Sequence, residues 1–143
     1  MADETHAALV ALSDTDLTVQ PEDDVRGRPV FDRHDERIGD VDDLVIDEEE
    51  RRVRFLQVGS GGFLGIGEEK RLVPVDAVSR VEDNVHIDKT REDVAGSPAY
   101  DPEVVRASAE DYYAGLYSYY GFAPFWGWGY AYPGFPRGGP GAI

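Results

Sequence analysis

Gly59–Val78, GSGGFLGIGEEKRLVPVDAV, is the stretch on which the reading of the chain turns. It leaves a strand-like run, passes through a glycine-hinged loop carrying two large apolar residues, Phe63 and Leu64, and enters a second strand that closes on Pro74. Glycines permit positive φ and let such a loop fold back on itself. The stretch is therefore expected to be the seam of a small β-barrel, with Phe63 and Leu64 over one barrel end as a lid or as a contact. A phosphate site is the competing reading. It fails on spacing and charge: the loop matches neither GxGxxG nor the P-loop, and Glu68 and Glu69 stand where a phosphate needs positive potential.

Upstream of the loop, Arg52–Val58 alternates Arg52 and Arg54 with Val53 and Phe55 before both faces turn apolar at Leu56 and Val58. That is the pattern of a half-buried strand becoming a buried one. Ile38–Asp47 is a longer run with Val41, Leu44, Val45 and Ile46, joined to Val30 and Phe31 by the polar turn Arg33-His34-Asp35-Glu36. Downstream, Asp76 can cap one helical turn through Ala77 and Val78. Val81, an Asp83-Asn84 turn and the alternating Val85-His86-Ile87-Asp88 complete a final hairpin. The expected fold class is mainly β, with six short strands. Strands this short cannot bury an apolar face when laid flat; closure into a barrel removes the edges and gives a shared interior. A core of this size is marginal, so a covering element from outside the barrel would stabilise it.

Four segments follow: an acidic, partly ordered arm over 1–24, the barrel domain over 25–97, a helix over 98–120 and an aromatic Gly/Pro-rich tail over 121–143. Asp101-Pro102-Glu103 is a helix start, with Asp101 as N-cap and Pro102 at the first helical position. Val105, Ala109, Tyr112, Leu116 and Tyr119 then share one face at helical spacing, suited to packing on the barrel or on a copy of it. From Gly121 the sequence reads GFAPFWGWGYAYPGFPRGGPGAI, where glycine and proline interrupt Phe125, Trp126, Trp128 and Tyr130 too often for a regular element. Tyrosine and tryptophan are favoured where a ring packs and its polar atom finds a partner. The tail has three readings: it packs on its own barrel, joins copies into a homo-oligomer, or docks a different protein.

The chain carries 29 acidic against 14 basic side chains and a formal net charge of -15, so its field repels phosphate backbones and anionic lipid headgroups. Nucleic acid and bare membrane are not expected partners. The absence of cysteine excludes disulfides, thiolate metal sites and a cysteine nucleophile. The start, MADETHAALVALSD, is acidic where a secretory signal needs a positive n-region. Nothing approaches the ~20 apolar residues of a membrane helix, and a cytoplasmic location is the expectation. Asp40, Asp42, Asp43 and Asp47 look superficially like a calcium loop, but Leu44 occupies the third ligand position and no glycine follows. Alternation puts Asp40 and Asp42 on one face and Asp43 and Asp47 on the other. A solvated acidic face is the expectation, with weak divalent-cation binding by the wider cluster with Glu48–Glu50 as the alternative. His6, His34 and His86 are far apart and read as surface residues, and Ser60 lacks the first glycine of a GxSxG elbow. No catalytic residue, cofactor-binding residue or metal ligand is assigned, and no cofactor is expected.

Four pieces carry a family resemblance: GRPVFD at Gly27–Asp32, RIGDVDDLVIDEEERRVRFLQV at Arg37–Val58, GGFLGIGEEKRLVPVDAV at Gly61–Val78, and VHID at Val85–Asp88. In order and spacing they resemble the PRC-barrel family, named for the cytoplasmic domain of the photosynthetic reaction centre H subunit. The resemblance implies a six-stranded barrel used as a binding module, with no shared catalytic residues. In the reaction centre that domain lies beneath membrane subunits and tunes proton and electron transfer to quinone; in a ribosome maturation factor a similar barrel contacts a ribosomal protein. The expectation is thus a non-enzymatic protein-binding or assembly module, with Phe63, Leu64, Tyr112, Leu116, Tyr119, Phe125, Trp126, Trp128 and Tyr130 as contact residues. The alternative is a peripheral regulator of a membrane photosynthetic or redox complex.

Overall fold

Arg37–Asp47 (β3), 11 residues long, is long enough to serve two neighbours on one edge. In the computed structural model, which describes residues 9–48, 50–59, 70–98, 100 and 109–124, Pro29–Phe31 (β2) pairs with its first half and Leu9–Ala11 (β1) with its last. The opposite edge takes Val53–Gly59 (β4), which in turn pairs with Lys70–Pro74 (β5). Val78–Val81 (β6) and Val85–Ile87 (β7) form the last hairpin, and β7 joins β2 in parallel. Gly39 is required by a close approach: a Cβ there would collide with the backbone carbonyl of Gly59 on β4.

The six strands read from the sequence are all present, and β1 makes a seventh. Their order is β5-β4-β3-β2-β7-β6, with β1 beside β2 on β3, and no ladder joins β5 to β6 among the described residues. The closed six-stranded barrel is therefore corrected to an open seven-stranded sheet. Pro74 ends β5 without a backbone donor, and the chain continues into β6 through a 3-10 turn, Val75–Ala77, whose apolar side chains sink into the core.

A short helix, Arg91–Ala95 (α1), ties the end of β2 to β5. Thr90 and Asp93 form a capping box: the Thr90 hydroxyl accepts from the Asp93 amide at 3.0 Å and the Asp93 carboxylate from the Thr90 amide at 3.1 Å. The start of α1 is held by Asp32 at the end of β2, and its far end by Arg71 of β5, which donates to the Ser97 carbonyl. Val94 is fully buried with Val30, Ile38, Leu44, Leu56 and Ile87 in the inner core.

Asp32 is the hinge of this arrangement. Its buried carboxylate accepts backbone N–H bonds from His34 at 2.8 Å, Glu36 at 2.9 Å and Arg91 at 2.9 Å. Burial pushes the carboxyl up, but the three donors together outweigh it and hold it below the ordinary aspartate value. A depressed carboxyl contributes stability that is present above its unfolded pKa of about 4 and is lost as pH falls through the folded value. Asp32→Ala is expected to cost about 1–3 kcal/mol near neutral pH. The gap to the wild type, followed by urea unfolding, is expected to narrow below roughly pH 4.

The second face of the sheet is apolar too. Val45 of β3, Phe55 of β4 and Leu72 of β5 point away from the inner core and are covered by Ala109–Tyr120 (α2). Gly121 ends α2 at φ 85°; its amide bonds the Ser118 carbonyl, and the Phe122 amide bonds Tyr117 O at 2.9 Å. That pair of bonds is a Schellman close, which satisfies the last carbonyls of the helix and fixes the residue that follows the glycine.

Candidate interaction surface at the C-terminal helix

The face that α2 turns to the sheet is made of Tyr113, Leu116, Tyr117 and Tyr120, all buried. The Phe55 ring stands 5.3 Å from Tyr113 and 5.0 Å from Tyr117, tilted against both, a favourable arrangement for aromatic pairs. Tyr112 and Tyr119 flank this face and use their hydroxyls. Tyr119 donates to the Asp93 carbonyl at 2.7 Å and Tyr112 to the Pro98 carbonyl at 3.3 Å. In return Lys89, just before α1, donates to the Tyr120 carbonyl at the end of α2 at 2.9 Å and lies over the Phe122 ring at 4.9 Å. Carbonyls in and just after α1 are thus satisfied from α2, the last carbonyl of α2 is satisfied by Lys89, and α2 is fastened to the α1 segment.

Two expectations for this helix are corrected. Leu116 is fully buried against its own sheet and offers no surface to a partner. The packed face is also rotated from the one that the spacing of Tyr112, Leu116 and Tyr119 predicts; Tyr119 is 43% exposed and Tyr112 half-buried at its margin. Phe63, Leu64, Phe125, Trp126, Trp128 and Tyr130 lie outside the described residues, as do the helix start at Asp101-Pro102 and Val105.

The carboxylates of β3 do not converge. Asp40 pairs with Arg37 at 2.6 Å, Asp42 with Lys70, Asp43 with Ser13, and Asp47 with Arg54 at 2.7 Å. Asp43 and Asp47 are buried, so the expected solvated acidic face is restricted to Asp40 and Asp42. Among the described residues no group of three or more His, Cys, Asp or Glu side chains is arranged to hold a metal ion. Arg54, expected on the open face of its strand, is likewise buried. No described helix is long and apolar enough to cross a membrane.

The model of the PRC-barrel domain matches residues 22–94. The chain belongs to the PRC-barrel domain family. The match begins after β1 and ends within α1, so the PRC-barrel span contains β2–β7 and stops short of β1 and α2. What covers the outer face of this PRC-barrel sheet therefore comes from outside the family span. No curated protein matches the chain.

The packing of α2 carries a pH signature. Burial pushes the Tyr112 and Tyr113 hydroxyls well above the ordinary tyrosine value and that of Tyr120 up to about 12. Tyr119 is also raised, by burial first and then by Asp93. A raised tyrosine contributes stability that is complete below its unfolded pKa of about 10 and is lost as pH rises through the folded value. Between roughly pH 10 and about 12, where Tyr120 ionises, α2 is expected to leave the sheet. A step in tyrosinate absorbance coincident with loss of far-UV helicity is the expected observation; smooth titration at constant helicity contradicts it.

Proposed function

We propose that this PRC-barrel protein is a non-enzymatic, cytoplasmic protein-binding or assembly module whose contact surface is the aromatic segment after Pro124. The observation that carries this reading is the fixed end of α2. Tyr113, Tyr117 and Tyr120 of α2 are committed to the sheet, and the Schellman close at Gly121 with Lys89 over Phe122 anchors the chain where its aromatic sequence begins. Phe125, Trp126, Trp128 and Tyr130 follow within eight residues of that anchor. An anchored segment loses less freedom on binding than a free one, which favours its use as a contact. The formal charge of -15 favours a protein partner over nucleic acid.

The test compares the full chain with one ending at Pro124, by light scattering for self-association and by crosslinked pull-down from the native cell. Loss of the higher assembly or of a specific partner, with the thermal midpoint unchanged, is the expected result. Equal association and equal recovery contradict the reading.

A further inference from the structure

His86 of β7 lies on the outer side of the β6–β7 hairpin, stacked at 5.7 Å and 26° on the Phe31 ring, with its side chain 14% exposed. Each ring nitrogen faces one charged group. Nε2 is 3.2 Å from Arg80 Nη2 on β6, and Nδ1 is 3.7 Å from a carboxylate oxygen of Asp35 in the β2–β3 turn. A guanidinium can only donate, so Nε2 must accept. In a neutral imidazole the proton then resides on Nδ1, directed at Asp35.

The other charged groups around this basin have partners of their own. Asp32 is committed to three backbone donors, and Arg33 is paired with Asp88 at 2.9 Å. Asp35 is left to respond to a charge on the ring, together with Arg80, which is shared between His86 and Glu82. When His86 takes a second proton, Nε2 becomes a donor facing a donor, and two cations meet at hydrogen-bond distance. Glu82, whose carboxylate is 3.6 Å from Arg80 Nε, is already placed to receive the guanidinium. Asp35, meanwhile, gains a cationic partner.

We propose that His86 is a proton switch that decides whether Arg80 is shared between β7 and Glu82, as in this structure, or is left to Glu82 alone. Neutral His86 holds Arg80 across the hairpin; protonated His86 releases it and binds Asp35.

The test is a ring-nitrogen correlation spectrum of the full ¹⁵N-labelled chain at roughly pH 8 and roughly pH 5. A His86→Gln variant assigns the ring signals, and the Arg80 Nε–Hε signal is followed in parallel. At the higher pH the Nδ1–H tautomer is expected at His86, with a shift toward Nε2–H in Arg80→Ala. On acidification the Arg80 signal is expected to move in step with the ring, and to stay still in His86→Gln. An Nε2–H tautomer in the wild type overturns the proposal, as does an Arg80 signal that ignores the titration of His86. Arg80 is exposed, so neither outcome depends on a variant that fails to fold.

Discussion

Phe55→Ala is expected to cost about 3–5 kcal/mol, because it removes a fully buried ring and leaves a cavity that the rigid sheet can only partly close. The loss is concentrated at one interface. Phe55 is the aromatic on the sheet that Tyr113 and Tyr117 pack against, so its removal takes away the centre of the α2 contact while the inner core of Leu44, Leu56 and Ile87 keeps its neighbours. With total stabilities of domains commonly about 5–15 kcal/mol, this variant is near its limit. Amide exchange is expected to lose protection first in Ala109–Tyr120, with β3 and β4 retaining part of theirs. Uniform loss across both sheet and helix contradicts a contact confined to the outer face.

The second large effect is electrostatic. Arg54 and Asp47 form a buried pair at 2.7 Å, with Asp47 also accepting from the Glu50 amide and Arg54 also reaching Glu50 at 2.9 Å. Removing Arg54 leaves a buried carboxylate with no counter-charge and only the Glu50 amide as a donor, so Arg54→Met is expected to cost about 3–5 kcal/mol. Adding Asp47→Asn to it removes that charge and keeps an oxygen for the Glu50 amide. The double variant is therefore expected to be more stable than Arg54→Met alone, a non-additivity that chemical unfolding reads directly. Equal stability of the two contradicts an uncompensated charge as the source of the loss.

The inner core was legible in the sequence because strand alternation and turn residues agree there: Val30, Leu44, Leu56, Val73 and Ile87 all reach it. Three features were not, each for a physical reason. β1 is only three residues, and its place depends on β3 being long enough to hold two strands on one edge. The face of α2 could not be chosen by periodicity, since Tyr112, Tyr113, Tyr117, Tyr119 and Tyr120 surround the helix; the choice is made by Phe55 on one side and by the carbonyls of Asp93 and Pro98 on the other. The burial of Asp43, Asp47 and Arg54 depends on partners distant in sequence or across a turn, and strand alternation carries no trace of it. One signal was readable and points to α1: Thr90 with Asp93 three residues on is a capping box, and Val94 follows it. Of the contact residues, Tyr112 and Tyr119 proved to be fastenings within the chain and Leu116 part of its core.

α2 is a structural cover for the PRC-barrel sheet, whereas the aromatic segment after Pro124 is proposed as a contact surface. Thermal midpoints of two shortened chains, one ending at Pro124 and one at Pro98, separate the two roles. The first is expected to melt with the full chain. The second exposes Val45, Phe55 and Leu72 and is expected to melt well below it. If both shortened chains melt together, α2 contributes nothing to the fold and its role as a cover is contradicted.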